Sequence, residues 1–139
     1  MRNPKIIEQY FSKANDALIK SGIVIRKLDG TYEPIIGEYE GYIAGFGATV
    51  INMGIKPAVA AYCANPPSKP DKPSKKKIIK AIALTLGRQM VNNIEVEDKL
   101  LDDLISNNDI EVIKELKENI VNASVALKII LRTFSIDKA

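Results

Sequence analysis

The chain contains no histidine and a single cysteine, Cys63. That removes the commonest general base at neutral pH and leaves too few nitrogen and sulfur ligands for an ordinary zinc or iron–sulfur site. Carboxylates remain: Asp102-Asp103 and the group Glu95, Glu97, Asp98 have the chemistry to hold a divalent ion. Charge runs of this kind usually form a solvated helix face, and that is the reading adopted. Cys63 lies among small apolar residues with no base nearby in sequence, which predicts a core thiol rather than a nucleophile. The glycines of Gly41-Tyr42-Ile43-Ala44-Gly45-Phe46-Gly47 invite comparison with a phosphate-cradling loop. A dinucleotide loop follows a strand, however, whereas these glycines interrupt a helical apolar stripe. Gly41, Gly45 and Ala48 recur at i, i+4 and i+7, a smooth face that lets another helix approach closely, within the domain or from a neighbouring subunit. No catalytic residue, metal site or cofactor is expected.

Basic residues are the remaining candidates. From Lys69 to Arg88 seven of them (Lys69, Lys72, Lys75, Lys76, Lys77, Lys80, Arg88) stand against Asp71 alone, a local balance of +6. From Glu95 to Glu118 nine acids stand against three lysines, a balance of −6. Such asymmetry fits a polyanion site on one side, or head-to-tail association of copies through opposite patches. Lys75, Lys76, Lys77 and Lys80 occupy the first turns of a predicted helix, where the dipole disfavours cations by roughly 0.3 to 1 kcal/mol. A phosphate-binding patch accounts for that placement, as does a merely solvated lysine-rich face. Lys128 and Arg132 lie one helical turn apart beside Val121 and Val125, and this mixture of valine and charge predicts a contact surface. Lys56, next to Gly54, is a further candidate for reaching a nucleic-acid strand.

The elements that position these residues are predicted to be helices throughout. With 139 residues, 46% apolar composition and a net charge of +3, the chain suits one domain spanning residues 1–139. Asn3-Pro4 starts a helix whose apolar residues run from Ile6 to Leu18 and stop at Gly22. A loop follows over 23–34, with a short extended piece at 23–25. Tyr39, Tyr42, Ile43, Phe46, Val50 and Met53 form the inward stripe of a second helix, ending at Gly54. Pro57 restarts a short helix through Cys63. Residues 65–74 hold four prolines, too many for a regular element. Ser74 caps a helix to about Met90, with Ile78, Ile79, Ile82, Leu86 and Met90 inward. An acidic helix covers roughly 97–105. Asn108 and Glu111 have capping-box spacing before a long helix from Ile110 to about Thr133. Its seam is Ile113, Leu116, Ile120, Ala123, Leu127, Ile130 and Phe134. No alternating strand is evident, so the expectation is an all-α, single-domain bundle of about six helices. The amino terminus does not read as a secretion signal. No apolar run approaches the ~20 residues a membrane span needs. With one unpaired cysteine, the expectation is a cytoplasmic protein with no membrane partner.

Two segments resemble a known family. Glu40-Gly41-Tyr42-Ile43-Ala44-Gly45-Phe46-Gly47-Ala48, continuing through Gly54 to Pro57-Ala58-Val59-Ala60-Ala61-Tyr62, is similar to a pattern in the small subunit of the Cmr-type (type III-B) CRISPR effector. That pattern is a Tyr-Ile-x-x-Phe-Gly-Ala helix, a glycine break, and a Pro-Ala-led helix ending in aromatics. Ala126-Leu127-Lys128-Ile129-Ile130-Leu131-Arg132-Thr133-Phe134 resembles the Ala-Leu-Lys-x-x-Leu-Arg-Thr-Phe ending of many bacterial members. Together the resemblance spans roughly residues 36–135. Met53, Ile55 and Ala61 depart from the family pattern.

The resemblance implies a structural role in antiviral defence: a subunit that does not itself cut RNA. Copies of it would stack as an inner filament beside the other effector subunits, lining the groove where guide and target RNA pair. Lys56, Lys75, Lys76, Lys77, Lys80, Arg88, Lys128 and Arg132 are the expected phosphate contacts, stabilising a strand by counterion release without reading its sequence. Gly41, Gly45, Val121 and Val125 are the expected subunit contacts. The alternative is a free-standing helical protein-interaction adaptor with no nucleic-acid role.

Overall fold

The computed structural model describes residues 3–64, 72–134 and 136–137. Most of the proline-rich stretch, 65–71, lies outside them. The Asn3 side chain caps α1 (Pro4–Gln9), its Oδ1 accepting from the Lys5 and Ile6 amides, while the Asn3 amide donates to Oδ1 of the buried Asn122 at 3.1 Å. The expected single first helix is two. At Tyr10 the backbone tightens, its amide donating to Ile7 O, and α2 (Phe11–Lys20) continues from there. Gly22, at φ +84°, then turns the chain out of the helix. Within the predicted loop, an antiparallel bridge between Arg26 and Tyr32 closes around Asp29 and Gly30, and Asp29 Oδ1 accepts from both the Thr31 amide and hydroxyl.

A two-residue strand that the sequence did not reveal, β1 (Ile35–Ile36), precedes α3 (Glu38–Met53). It pairs in parallel with β2 (Ile136–Asp137), Ile35 opposite Ile136. The pairing draws the end of the chain to Tyr32, whose ring meets Phe134 edge-on at 5.2 Å. Tyr39, Ile43, Phe46 and Val50 are the buried stripe of α3. Met53, expected in that stripe, is 53% exposed. Gly54 stands at φ +90°, ψ 166°, where a side chain is strained, and the reversal it makes lets α4 (Ile55–Ala64) fold back on α3. The Tyr62 hydroxyl fixes the hairpin by donating to Tyr42 O at 2.7 Å.

At the centre runs α5 (Lys75–Thr85), capped by Ser74 Oγ, which accepts from the Lys76 amide. Ile78, Ile79, Ala81, Ile82 and Ala83 are all fully buried, so only a narrow face of α5 meets water. The helix ends five residues before the expected Met90. Gly87 at φ +88° places the Arg88 amide on Ala83 O, a closing bond that ends the helix. Asn92 and Asn93, both at positive φ, form a tight turn that leads to α6 (Val96–Ser106). Val96, Leu100 and Leu104 of α6 are buried, each stabilising by about 1.5–3 kcal/mol as a typical apolar side chain does. The longest helix, α7 (Ile110–Leu131), is capped by Asp109, not Asn108. The Asp109 carboxylate accepts from the Glu111 and Val112 amides and so takes the cap one residue later than the capping-box spacing indicated. Its Ile120, Ala123 and Leu127 complete one continuous core to which every helix contributes. The described residues form an all-α bundle of seven helices with one two-residue ladder.

Candidate functional site

α6 lies along the basic face of α5, and this changes what that face can do. Lys76 Nζ lies 2.9 Å from Asp98, Lys80 Nζ 3.5 Å from Glu95, and Arg88 Nη1 2.6 Å from Asp103, whose carboxylate also faces Lys99 at 3.1 Å. The +6 and −6 stretches therefore meet inside one chain. The expectation of an open basic face over Lys76, Lys80 and Arg88 is corrected accordingly: acids of the next helix supply their counter-charges. The hydrogen bond that Lys76 donates to Asp98, more than the attraction of neighbouring acids, holds the ammonium above its ordinary pKa against the cost of burial.

The other expected phosphate contacts fall into three settings. Lys75 Nζ lies 5.3 Å from the Tyr62 ring centre and 5.7 Å from that of Tyr42, a cation–π arrangement. Lys77 is half-buried against the Gly22 turn, and Lys56 donates to Asn107 O at 3.0 Å, tying the start of α4 to the α6–α7 turn. Lys128 and Arg132, by contrast, have no acid within 4 Å among the described residues. Arg132 is exposed and Lys128 half-exposed on the carboxyl end of α7.

Val121 and Val125, the expected contact residues on α7, line a groove of about 450 Å³ whose opposite wall is Ala44, Gly47, Ala48 and Ile51 of α3. Ile51 is 79% exposed. Val50, Lys117 and Ser124 complete the lining. Of the α3 wall, the predicted smooth face included Ala48 but not Ala44, Gly47 or Ile51. Ala44, Ala48 and Ile51, at i, i+4 and i+7, are the second apolar line on that helix, and their spacing was the available signal. Gly41 is not an internal close approach. It is exposed, and beyond its chain neighbours and the helix's own backbone no heavy atom lies within 4 Å of where its Cβ would be. Gly45 meets only the Tyr62 hydroxyl, at an ordinary 3.6 Å.

Burial pushes the Cys63 thiol up to about 11, far from a reactive thiolate. Glu97 is buried beside the α5–α6 contact with Oε1 unpartnered. A polar cleft of about 490 Å³ at the α6–α7 turn is lined by the Arg88–Asp103 pair, Asn107 and Asn119. No family model, curated protein or solved structure matches the chain. No three potential metal-ligating side chains gather among the described residues. Among the described residues no helix is long and apolar enough to cross a membrane. What the fold does bring together is an apolar groove between α3 and α7, with two cations where α7 ends that have no acid within 4 Å among the described residues.

Proposed function

We propose that this chain is a non-catalytic structural subunit of a type III-B CRISPR RNA-guided effector complex, acting in the cytoplasm. In this reading it stacks with copies of itself and other effector subunits as an inner filament and helps hold guide and target RNA in antiviral defence. The observation that carries the reading is the meeting of α3 and α7. The two resembling segments are separated by 63 residues in sequence, yet α3, the core of the first, forms one wall of the groove. Val121 and Val125, which lead directly into the second, form the other. A groove walled by alanine, glycine and valine offers a neighbouring subunit close packing. Lys128 and Arg132 beyond it, with no acid within 4 Å among the described residues, offer phosphate contacts. Lys75 and Lys77 are secondary contacts, while Lys76, Lys80 and Arg88 would have to exchange a carboxylate for a phosphate.

The neutralised α5 face favours the second reading, a protein-interaction adaptor without a nucleic-acid role. Recovering a tagged copy from its native cell separates the two. The effector reading expects co-purified CRISPR RNA and the other effector subunits; the adaptor reading expects protein partners alone.

A further inference from the structure

We propose that α6 is an autoinhibitory shield: its acids take the places that phosphates would take on the α5 cations, and so hold down the affinity of the free chain for a polyanionic strand. The inference deepens the proposed function and takes its ligand, single-stranded RNA, from that reading. α5 carries Lys75, Lys76, Lys77 and Lys80 and no acid. All but Lys80 lie in its first turn, where the helix dipole disfavours cations, so local helix stability does not account for them. α6 begins with the opposite charge. Its cap residue Glu95 lies 3.5 Å from Lys80, and Asp98 of its first turn lies 2.9 Å from Lys76. Just past the end of α5, Arg88 donates to Asp103 at 2.6 Å. Three of the five cations from Lys75 to Arg88 are thus engaged, while Lys75 and Lys77 have no acid within 4 Å among the described residues.

Fold stability does not account for the pairs either. Their side chains are 27–46% exposed, and ion pairs so open to water stabilise little. Val96, Leu100 and Leu104 already fix α6 to the core. What the pairs do change is the field above α5. A strand binds a basic face by releasing its own counterions to the cations that neutralise it. A cation already matched by a carboxylate gives no such release, and the carboxylate itself repels phosphate. Asp98 and Asp103 accept from Lys76 and Arg88 at the distance a phosphate oxygen would take. The shield therefore covers the sites themselves and not only their surroundings.

The test is titration of a mixed-sequence, unstructured RNA oligonucleotide into the full chain at several salt concentrations. Glu95→Gln with Asp98→Asn frees Lys80 and Lys76 while keeping side-chain size. It is expected to raise affinity by about ten-fold and to steepen the log–log salt slope by about 0.7 per freed lysine. Adding Lys76→Gln and Lys80→Gln is expected to return both quantities to the parent values. Asp103→Asn, at the other end of the contact, is expected to steepen the slope in the same way through Arg88. Glu8→Gln with Glu111→Gln removes two exposed acids of other helices, an equal change in net charge, and is expected to give no comparable gain. Helix content and a cooperative thermal melt check that each variant is folded. Unchanged affinity and slope in the α6 variants, a gain that survives removal of the two lysines, or an equal gain from Glu8→Gln with Glu111→Gln would overturn the proposal. Failure of the proposed function is read separately, in what a tagged copy brings from its native cell, so the two failures are distinguishable.

Discussion

The Arg88 guanidinium lies 2.6 Å from the Asp103 carboxylate and joins the residue just past the end of α5 to the middle of α6. Burial alone pushes the Asp103 carboxyl up, but hydrogen bonds from Arg88 and Lys99 outweigh it and hold the pKa below the ordinary aspartate value. A depressed folded pKa contributes stability above the unfolded value, about 4, and that stability is lost as pH falls through the folded value. Asp103→Asn should therefore destabilise at pH 7. The cost should be at most about 1 kcal/mol, because a third of the side chain is in water. In chemical denaturation across pH, the gap from the parent protein should close in acid. A gap independent of pH would mean that packing, not charge, holds this junction.

Glu97 titrates with the opposite sign. It is 6% exposed, and burial raises its pKa more than its own backbone hydrogen bond and Lys80 lower it. Its contribution to stability is fully present below the unfolded glutamate pKa of about 4.3 and is lost as pH rises through the folded value. Glu97→Gln should raise the melting temperature at neutral pH, with the advantage fading as the solution is acidified. A lower melting temperature at pH 7 would show that the carboxylate has a partner there.

The glycines of α3 divide by backbone angle and space. Gly41 sits in an exposed helix interior with open space at its Cβ position, so Gly41→Ala should stabilise by up to about 1 kcal/mol through helix propensity. Gly54 has room as well, its nearest neighbour being Pro57 Cδ at 3.8 Å, but its φ of +90° strains any side chain. Gly54→Ala should destabilise by about 1–3 kcal/mol. Thermal or denaturant unfolding of the two variants tests both directions at once.

Helix type and most helix faces were legible in the sequence because apolar spacing records which side of each element is dry. Ile78, Ile79 and Ile82 of α5 and Ile120, Ala123 and Leu127 of α7 are buried as their periods require. Errors fell where a single residue outweighed the pattern: Gly87 ending α5 early, Tyr10 dividing the first helix, and Asp109 capping α7 in place of Asn108. The β1–β2 ladder was invisible because pairing across a hundred residues leaves no local period. At the candidate site, the two charge blocks were counted correctly, but counting along the chain does not reveal that consecutive helices of opposite sign fold against each other. Val121 and Val125, which line the α3–α7 groove, stood out in the sequence because valine beside charge on an outer face breaks the amphipathic pattern. Of their α3 counterparts only Ala48 stood out, while Ala44, Gly47 and Ile51 were hidden behind the stronger buried stripe.

The ion pairs across α5 and α6 yield a discriminating prediction about RNA. If phosphates are held where cations lack an internal partner, Lys128→Gln with Arg132→Gln in complex-incorporated subunits should weaken RNA binding alike for unrelated target sequences. The salt dependence should flatten by about 0.7 per lost contact on a log–log plot for a single strand. Lys76→Gln with Lys80→Gln removes the same number of charges, but from sites already engaged by Asp98 and Glu95. It should leave the salt slope nearly unchanged and at most lower affinity slightly, through the acids it uncovers. Neutral substitutions are needed here, since reversal at Lys76 or Lys80 would set acid against acid and destabilise the α5–α6 contact itself. Binding titrations at several salt concentrations compare the two variants directly. Equal loss of slope from both would mean that phosphate displaces the α6 carboxylates. No loss from Lys128→Gln with Arg132→Gln would move the function to the adaptor reading.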